Sequence, residues 1–160
     1  NATAMELGWS SGNVARVAIL VGDAPPHNVA LNAAFDAALV LRSMGVRLYA
    51  LAASGVKDRA EYIMRLMSLI TGARYMWLTD DSGVGNPHAE PRVACYHVTK
   101  VDKLLTRVLQ SEVNGERVEP DPGDIIRTEG TPENGVCLID LNDVEGSLLT
   151  SGGNGGASSG

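Results

Sequence analysis

The fold class follows from one stretch near the N-terminus, Val14-Ala15-Arg16-Val17-Ala18-Ile19-Leu20-Val21, which continues as Gly22-Asp23-Ala24-Pro25-Pro26-His27. Its first part is an apolar run interrupted only by Arg16, a pattern typical of a strand buried on both faces of a parallel sheet. The glycine and two prolines of the second part prevent the strand from continuing. Asp23 is therefore predicted to lie at the carboxyl end of a buried strand, facing a loop.

The next segments alternate between helical and extended patterns. Residues 29–44 carry apolar side chains at helical spacing and end at Gly45, and residues 46–52 predict the second strand. Residues 57–70 predict a second helix that ends at Gly72, and residues 74–79 predict a third strand. Strands that alternate with helices build a parallel sheet with helices on its faces. The predicted fold class is α/β, a Rossmann-like three-layer parallel sheet with flanking helices.

The C-terminal part is less regular. Residues 95–98 predict a short strand, and Thr99-Lys100-Val101-Asp102 predicts a capping box that opens a helix running to about residue 113. Prolines and glycines then leave short apolar patches at residues 125–126 and 136–139, which either add an edge strand or lie on the surface. We divide the chain into a lead-in at 1–13 that ends a helix, an α/β domain at 14–115, an irregular extension at 116–146, and a disordered Gly/Ser-rich tail at 147–160.

Composition and charge narrow the function classes. The 160 residues fit one domain, and the net charge of −6, with scattered basic residues, argues against a nucleic-acid partner. The apolar runs fall short of the roughly 20 residues of a membrane-spanning helix, so no membrane insertion is expected. No signal-peptide pattern is visible, which favours the cytoplasm.

Cys95 and Cys137 are expected to be free buried thiols, with a disulfide as the alternative.

Loops at the carboxyl ends of parallel strands meet at one rim of the sheet, where ligands bind. In this chain the loops after the predicted strands carry oxygen-rich side chains, which suit Mg²⁺ or another hard divalent cation. Each also has a structural alternative, because Asp and Ser favour turns and helix caps and a histidine after prolines is commonly an exposed loop residue. No phosphate-binding loop or nucleophile elbow occurs, so a hydrolase that uses rim Asp and His residues is the lesser alternative. The candidate rim residues are Asp23, His27, Asp80, Asp81, Ser82 and His88.

Four runs of the sequence, taken in order, resemble bacterial proteins with a von Willebrand factor A-like domain. They are residues 17–27, 51–56, 78–86, and 89–91 together with 95–98. The resemblance implies a doubly wound, mostly parallel sheet of about six strands, with a metal-ion-dependent adhesion site at its carboxyl rim. That site combines an Asp-x-Ser-x-Ser motif after the first strand, a Thr from a middle loop and an Asp after the fourth strand. Asp23 matches the last of these.

The resemblance covers only the C-terminal half of such a domain. Asn1 would lie near the end of the helix that precedes the Asp23 strand, so the other two ligands have no counterpart. Asp80-Asp81-Ser82-Gly83-Val84 is close to the motif, but Val84 stands where a hydroxyl is needed, and its place in the chain assigns it to the last rim loop. The resemblance thus implies a non-enzymatic protein-binding or assembly module with an incomplete, weak metal site.

The alternative is a structural half-domain that pairs with a missing partner segment. In either case the strand before Asp23 would lack neighbours, and an unpaired apolar strand drives association. We therefore expect a protein partner or self-association.

Overall fold

The chain forms a mixed α/β fold around a three-stranded parallel sheet. The computed structural model describes residues 7–53, 55–82, 88 and 90–138. The strands are β1 (Arg16–Gly22), β2 (Val46–Ala52) and β3 (Tyr75–Trp77), in the order β1-β2-β3. Both neighbouring pairs run parallel. The expectation of an α/β fold with a parallel sheet and flanking helices is confirmed at this level.

Three helices flank the sheet. They are α1 (Leu31–Ser43), which follows a 3-10 turn at Asn28–Ala30, α2 (Asp58–Ile70) and α3 (Val101–Asn114). The predicted bounds agree closely because each helix has a stop residue: Gly45, Gly72 and Gly115 all adopt positive φ angles, which glycine tolerates without steric cost.

The core lies on both faces of β2. Side chains alternate across a strand, so Val46, Leu48, Ala50 and Ala52 face α1 and α2. Tyr49 and Leu51 point the other way and pack with Met76 and Leu78 against α3. The middle strand is therefore buried on both faces, with only Arg47 exposed among its seven residues.

The strand before Asp23 departs from its prediction. We expected burial on both faces, but among the described strands β1 pairs with β2 alone and forms an edge, and its side chains Ile19, Leu20 and Val21 are exposed. Val17 packs into the cluster beneath α3, and Ala18 packs toward α1. An apolar run alone does not distinguish a central strand from an edge strand, because neighbours far along the chain decide which one it becomes.

The predicted capping box is wrong. Lys100 occupies the N-cap of α3 and makes no side-chain capping hydrogen bond. Thr99 lies one residue too early, and its hydroxyl donates to the carbonyl oxygen of Lys100 instead, at 3.3 Å.

The segment after α3 is folded as far as residue 138. Within it, β5 (Arg127–Glu129) pairs antiparallel with β4 (Tyr96–Val98), which precedes α3, and β6 (Pro132–Glu133) pairs antiparallel with β7 (Val136–Cys137). The patch at residues 125–126 thus leads into an added strand, β5.

The two cysteines are bonded, so the expectation of free thiols is wrong. Cys95 and Cys137 form a disulfide with an S–S distance of 2.07 Å and a Cα–Cα distance of 5.4 Å. The hairpin of β6 and β7 brings Cys137 back beside the start of β4, a return that sequence spacing does not reveal.

Two further features are the residues at the chain ends and the length of the helices. Residues 7–15 contain no helix, although Trp9 packs against the cluster around Val46. Residues 1–6 of the lead-in and the predicted tail at 147–160 lie outside the described residues. Among the helices that the structure describes, none is long and apolar enough to cross a membrane.

Candidate functional site

The carboxyl ends of the three parallel strands form one rim, as predicted for this sheet. The Ala53 N–H donates to the Gly22 carbonyl oxygen at 2.8 Å, and the Leu78 N–H donates to that of Ala52 at 3.4 Å. Asp23 follows β1 and Asp80 follows β3, so β2 lies between them. The rim is shared, but its candidate residues stand at opposite edges of the sheet.

Asp23 and His27 lie in the loop after β1, and both are exposed. Among the described residues, nothing forms a hydrogen bond or ion pair with the Asp23 carboxylate. His27 precedes the 3-10 turn, and its carbonyl oxygen accepts the Ala30 N–H at 2.8 Å. The Asp23 carboxylate is therefore accessible to an external ligand.

Asp80 and His88 contact each other in the loop after β3. The His88 N–H donates to Oδ1 of Asp80 at 2.7 Å, and His88 Nδ1 lies 3.2 Å from the same oxygen. The histidine side chain is almost fully buried, whereas the aspartate is half exposed. These contacts join His88 to Asp80, and they occupy one Asp80 oxygen.

Asp81 forms an ion pair with Arg127. Arg127 Nε lies 3.1 Å from Oδ2 of Asp81, and the same guanidinium binds Glu90 at 2.9 Å and Glu129 at 2.5 Å. These carboxylates and Tyr96 raise the pKa of Arg127, so it remains a cation. Ser82 ends the 3-10 turn that begins at Asp80. Asp81 thus has a structural partner that the sequence did not suggest.

The described residues do not make up a complete metal site. In residues 7–53, 55–82, 88 and 90–138, no group of three His, Cys, Asp or Glu side chains is placed to hold a metal ion. Asp23 contributes a single carboxylate, and hard divalent cations take six or more oxygen ligands in proteins.

The outer edge of β1 carries unpaired backbone groups. The Gly22 carbonyl oxygen accepts a hydrogen bond on the β2 side. In a parallel ladder the backbone groups of every second residue point to the same side, so the N–H and C=O groups of Leu20 and Ala18 also point toward β2. The N–H and C=O groups of Val17, Ile19 and Val21 then point outward. No described strand pairs with this edge.

An apolar strip continues from β1 onto α3. On α3, Arg107 and Ser111 face a cleft beside β3, so the opposite side of the helix, with Leu109 and Val113, faces β1. Leu109 is 45% exposed, and Val113 is 76% exposed. On the same face of the sheet, Ile19 is 38% exposed and Val21 is 59% exposed. We call these four residues the β1–α3 strip.

A cleft of about 410 Å³ lies at the other edge of the sheet, between β3, β4 and α3. Within it, the Tyr49 hydroxyl donates to Oε1 of Glu112 at 2.5 Å, and Arg47 Nε lies 3.4 Å from Oε2 of the same carboxylate. Sequence reasoning missed this cleft, since its walls come from five separate segments of the chain.

Comparison of the chain with models of protein families, with characterised proteins and with solved structures finds no match in any of the three.

Proposed function

We propose that this chain is a non-enzymatic protein-binding module of the von Willebrand factor A type, which binds by accepting an apolar strand at the outer edge of β1. The observation that carries the proposal is the edge itself. It is seven residues long and apolar after Arg16, and Val17, Ile19 and Val21 direct their N–H and C=O groups outward. Natural sheets normally shield such an edge with charges, prolines or bulges.

The β1–α3 strip supports the proposal on a second surface. Leu109 and Val113 on the helix, and Ile19 and Val21 on the strand, are exposed apolar side chains beside the edge. A strand that pairs with β1 and continues into a helix would cover both the ladder groups and these side chains. Protein partners recognise such edges through backbone hydrogen bonds and alternate side chains.

The metal contribution to this function is secondary. Asp23 stands directly after β1 and has an accessible carboxylate, as the resemblance to the adhesion site requires. The remaining ligands would come from the partner. We therefore propose Mg²⁺, or another hard divalent cation, as a weak ligand of this chain alone.

Sedimentation velocity on the full chain tests the proposal. The wild type is expected to self-associate as its concentration rises, because copies can pair edge to edge. Val21→Lys places a charge on the edge and is expected to shift the protein toward monomer. Tyr62→Lys is the matched control, since Tyr62 is 68% exposed on α2 and lies away from β1.

Two outcomes oppose the proposal. One is a wild type that remains a monomer at every concentration and unfolds in one cooperative transition. The other is an equal effect of the Val21 and Tyr62 variants, which would show that added charge, and not edge pairing, controls association.

The two hypotheses, a structural half-domain and a metal-assisted binding module, predict different responses to metal. The test mixes the chain with a polypeptide that carries a strand followed by Asp-x-Ser-x-Ser. A metal-assisted module binds this polypeptide more tightly with Mg²⁺ than with EDTA, and Asp23→Ala removes the difference. A structural half-domain binds equally in both.

A further inference from the structure

The cleft at the far edge of the sheet lies between two strands that do not pair with each other. Among the described strands, β3 pairs with β2 alone and β4 pairs with β5 alone, yet both line the same cavity. Within the described residues, no backbone hydrogen bond joins β3 to β4. The cleft therefore separates two free strand edges.

The backbone geometry directs polar groups into this space. The Leu78 N–H bonds to β2, so the ladder alternation turns the N–H and C=O of Tyr75 and Trp77 away from β2. β4 pairs with β5 on one side, so its other edge, beside the cleft, has no strand partner among the described residues. Both edges span three residues, roughly 10 Å of extended chain.

The charge of the cleft differs from that of the chain. Its ionised lining side chains are four arginines and two glutamates, in a protein with a net charge of −6. Arg47 is paired with Glu112, and Arg117 is paired with Glu119. The cleft is a positive site on an acidic molecule.

Arg107 is the partly buried arginine of the cleft, whereas Arg47, Arg74 and Arg117 are exposed. It projects from α3, and its guanidinium forms no hydrogen bond or ion pair with a described residue. The nearest carboxylates are engaged elsewhere, Asp124 with Lys103 at 3.2 Å and Glu119 with Arg117. Burial lowers the pKa of Arg107, and the charges of Glu119 and Asp124 offset this effect only in part.

We propose that this β3–β4 cleft binds an extended peptide segment that adds as a short strand between β3 and β4 and places an acidic side chain against Arg107. The free edges select a peptide, because only a backbone offers alternating N–H and C=O groups to both strands. The arginine selects a carboxylate, since a guanidinium binds carboxylates through a charge-assisted fork. This surface is separate from the β1 edge, at the opposite side of the sheet.

Fluorescence polarisation on the full chain tests this proposal with two pools of labelled heptapeptides. Both pools are randomised over Val, Ile, Thr and Tyr at the flanks, and the central residue is Glu in one pool and Gln in the other. The Glu pool is expected to bind about tenfold more tightly, the gain of one charge-assisted interaction. A Glu pool that is N-methylated at alternate residues is expected to lose binding, because methylation removes the N–H donors.

Variants of the chain locate the site. Arg107→Gln is expected to bind the Glu and Gln pools equally, and a cooperative melt shows that the variant is folded. Lys100→Gln, at the start of the same helix, is the matched control and should retain the tenfold preference. The proposal is overturned if neither pool binds, if the N-methylated pool binds as well as its parent, or if Arg107→Gln keeps the preference for Glu.

Discussion

The Tyr49 hydroxyl donates a 2.5 Å hydrogen bond to Oε1 of Glu112, and so joins the middle strand of the sheet to the end of α3. Tyr49 is 5% exposed, and Glu112 also pairs with Arg47. Tyr49→Phe keeps the packing and removes the donor, so we expect a loss of about 1–2 kcal/mol in the free energy of unfolding. Urea denaturation at neutral pH measures it. A loss within error of zero would show that Arg47 and solvent satisfy Glu112 without the tyrosine.

The same tyrosine makes the stability of the folded protein decrease at alkaline pH. Burial first, and then the hydrogen bond to Glu112, raise the pKa of Tyr49 above its usual value of 10.0. Burial and the charge of Glu61 raise the pKa of Tyr75 likewise. Because the unfolded chain ionises first, this contribution to stability is fully present below pH 10 and is lost as the pH rises above it.

The pH dependence is measurable by comparing urea midpoints at about pH 9 and about pH 11. The wild type should lose more stability over that interval than Tyr49→Phe, which retains only the Tyr75 contribution. Tyr62→Phe serves as the control, because Tyr62 is exposed on α2, and it should follow the wild type. Equal losses for wild type and Tyr49→Phe would mean that Tyr49 does not control the alkaline transition.

Local signals in the sequence explain why the sheet and its helices were predictable. The segment at residues 46–52 was predicted as a strand and forms β2 with the same bounds, since its apolar pattern matches burial on both faces. Gly45, Gly72 and Gly115 mark helix ends through positive φ angles. Each of these features depends on residues within a few positions of one another.

Features that depend on distant neighbours escaped prediction. The exposure of β1 depends on which strand lies beside it, and the apolar run is the same in either case. Asp81 was grouped with the rim, but Arg127, 46 residues later, binds it. The rim residues lie at the carboxyl ends of the parallel strands, as predicted, whereas the cleft at β3 draws on segments whose proximity no local pattern encodes.

The disulfide between Cys95 and Cys137 anchors the C-terminal hairpin to the start of β4. It joins residues 42 positions apart, so its reduction should lower the free energy of unfolding by about 2–4 kcal/mol. Urea denaturation with and without a phosphine reductant measures the change. The Cys95→Ser, Cys137→Ser double variant should unfold at the same urea concentration in both conditions. Wild-type stability that is unchanged by complete reduction would contradict a stabilising role.

Metal binding by this chain should be weak. Asp23 provides one accessible carboxylate, so calorimetric titration with Mg²⁺ should show no site with a Kd below about 1 mM. Asp23→Ala should leave the titration unchanged within error. Tight binding that disappears in Asp23→Ala would instead show a complete site around this residue.

Amide hydrogen exchange along β1 tests strand pairing at its outer edge most directly. In dilute monomer, the Ile19 and Val21 amides point outward and should exchange quickly, whereas the Leu20 amide bonds to β2 and should be protected. At concentrations where the chain associates, Ile19 and Val21 should become protected as well. Val21→Lys should keep the Ile19 amide in fast exchange at those concentrations. Association that leaves Ile19 and Val21 in fast exchange would contradict edge pairing and place the protein-binding surface elsewhere.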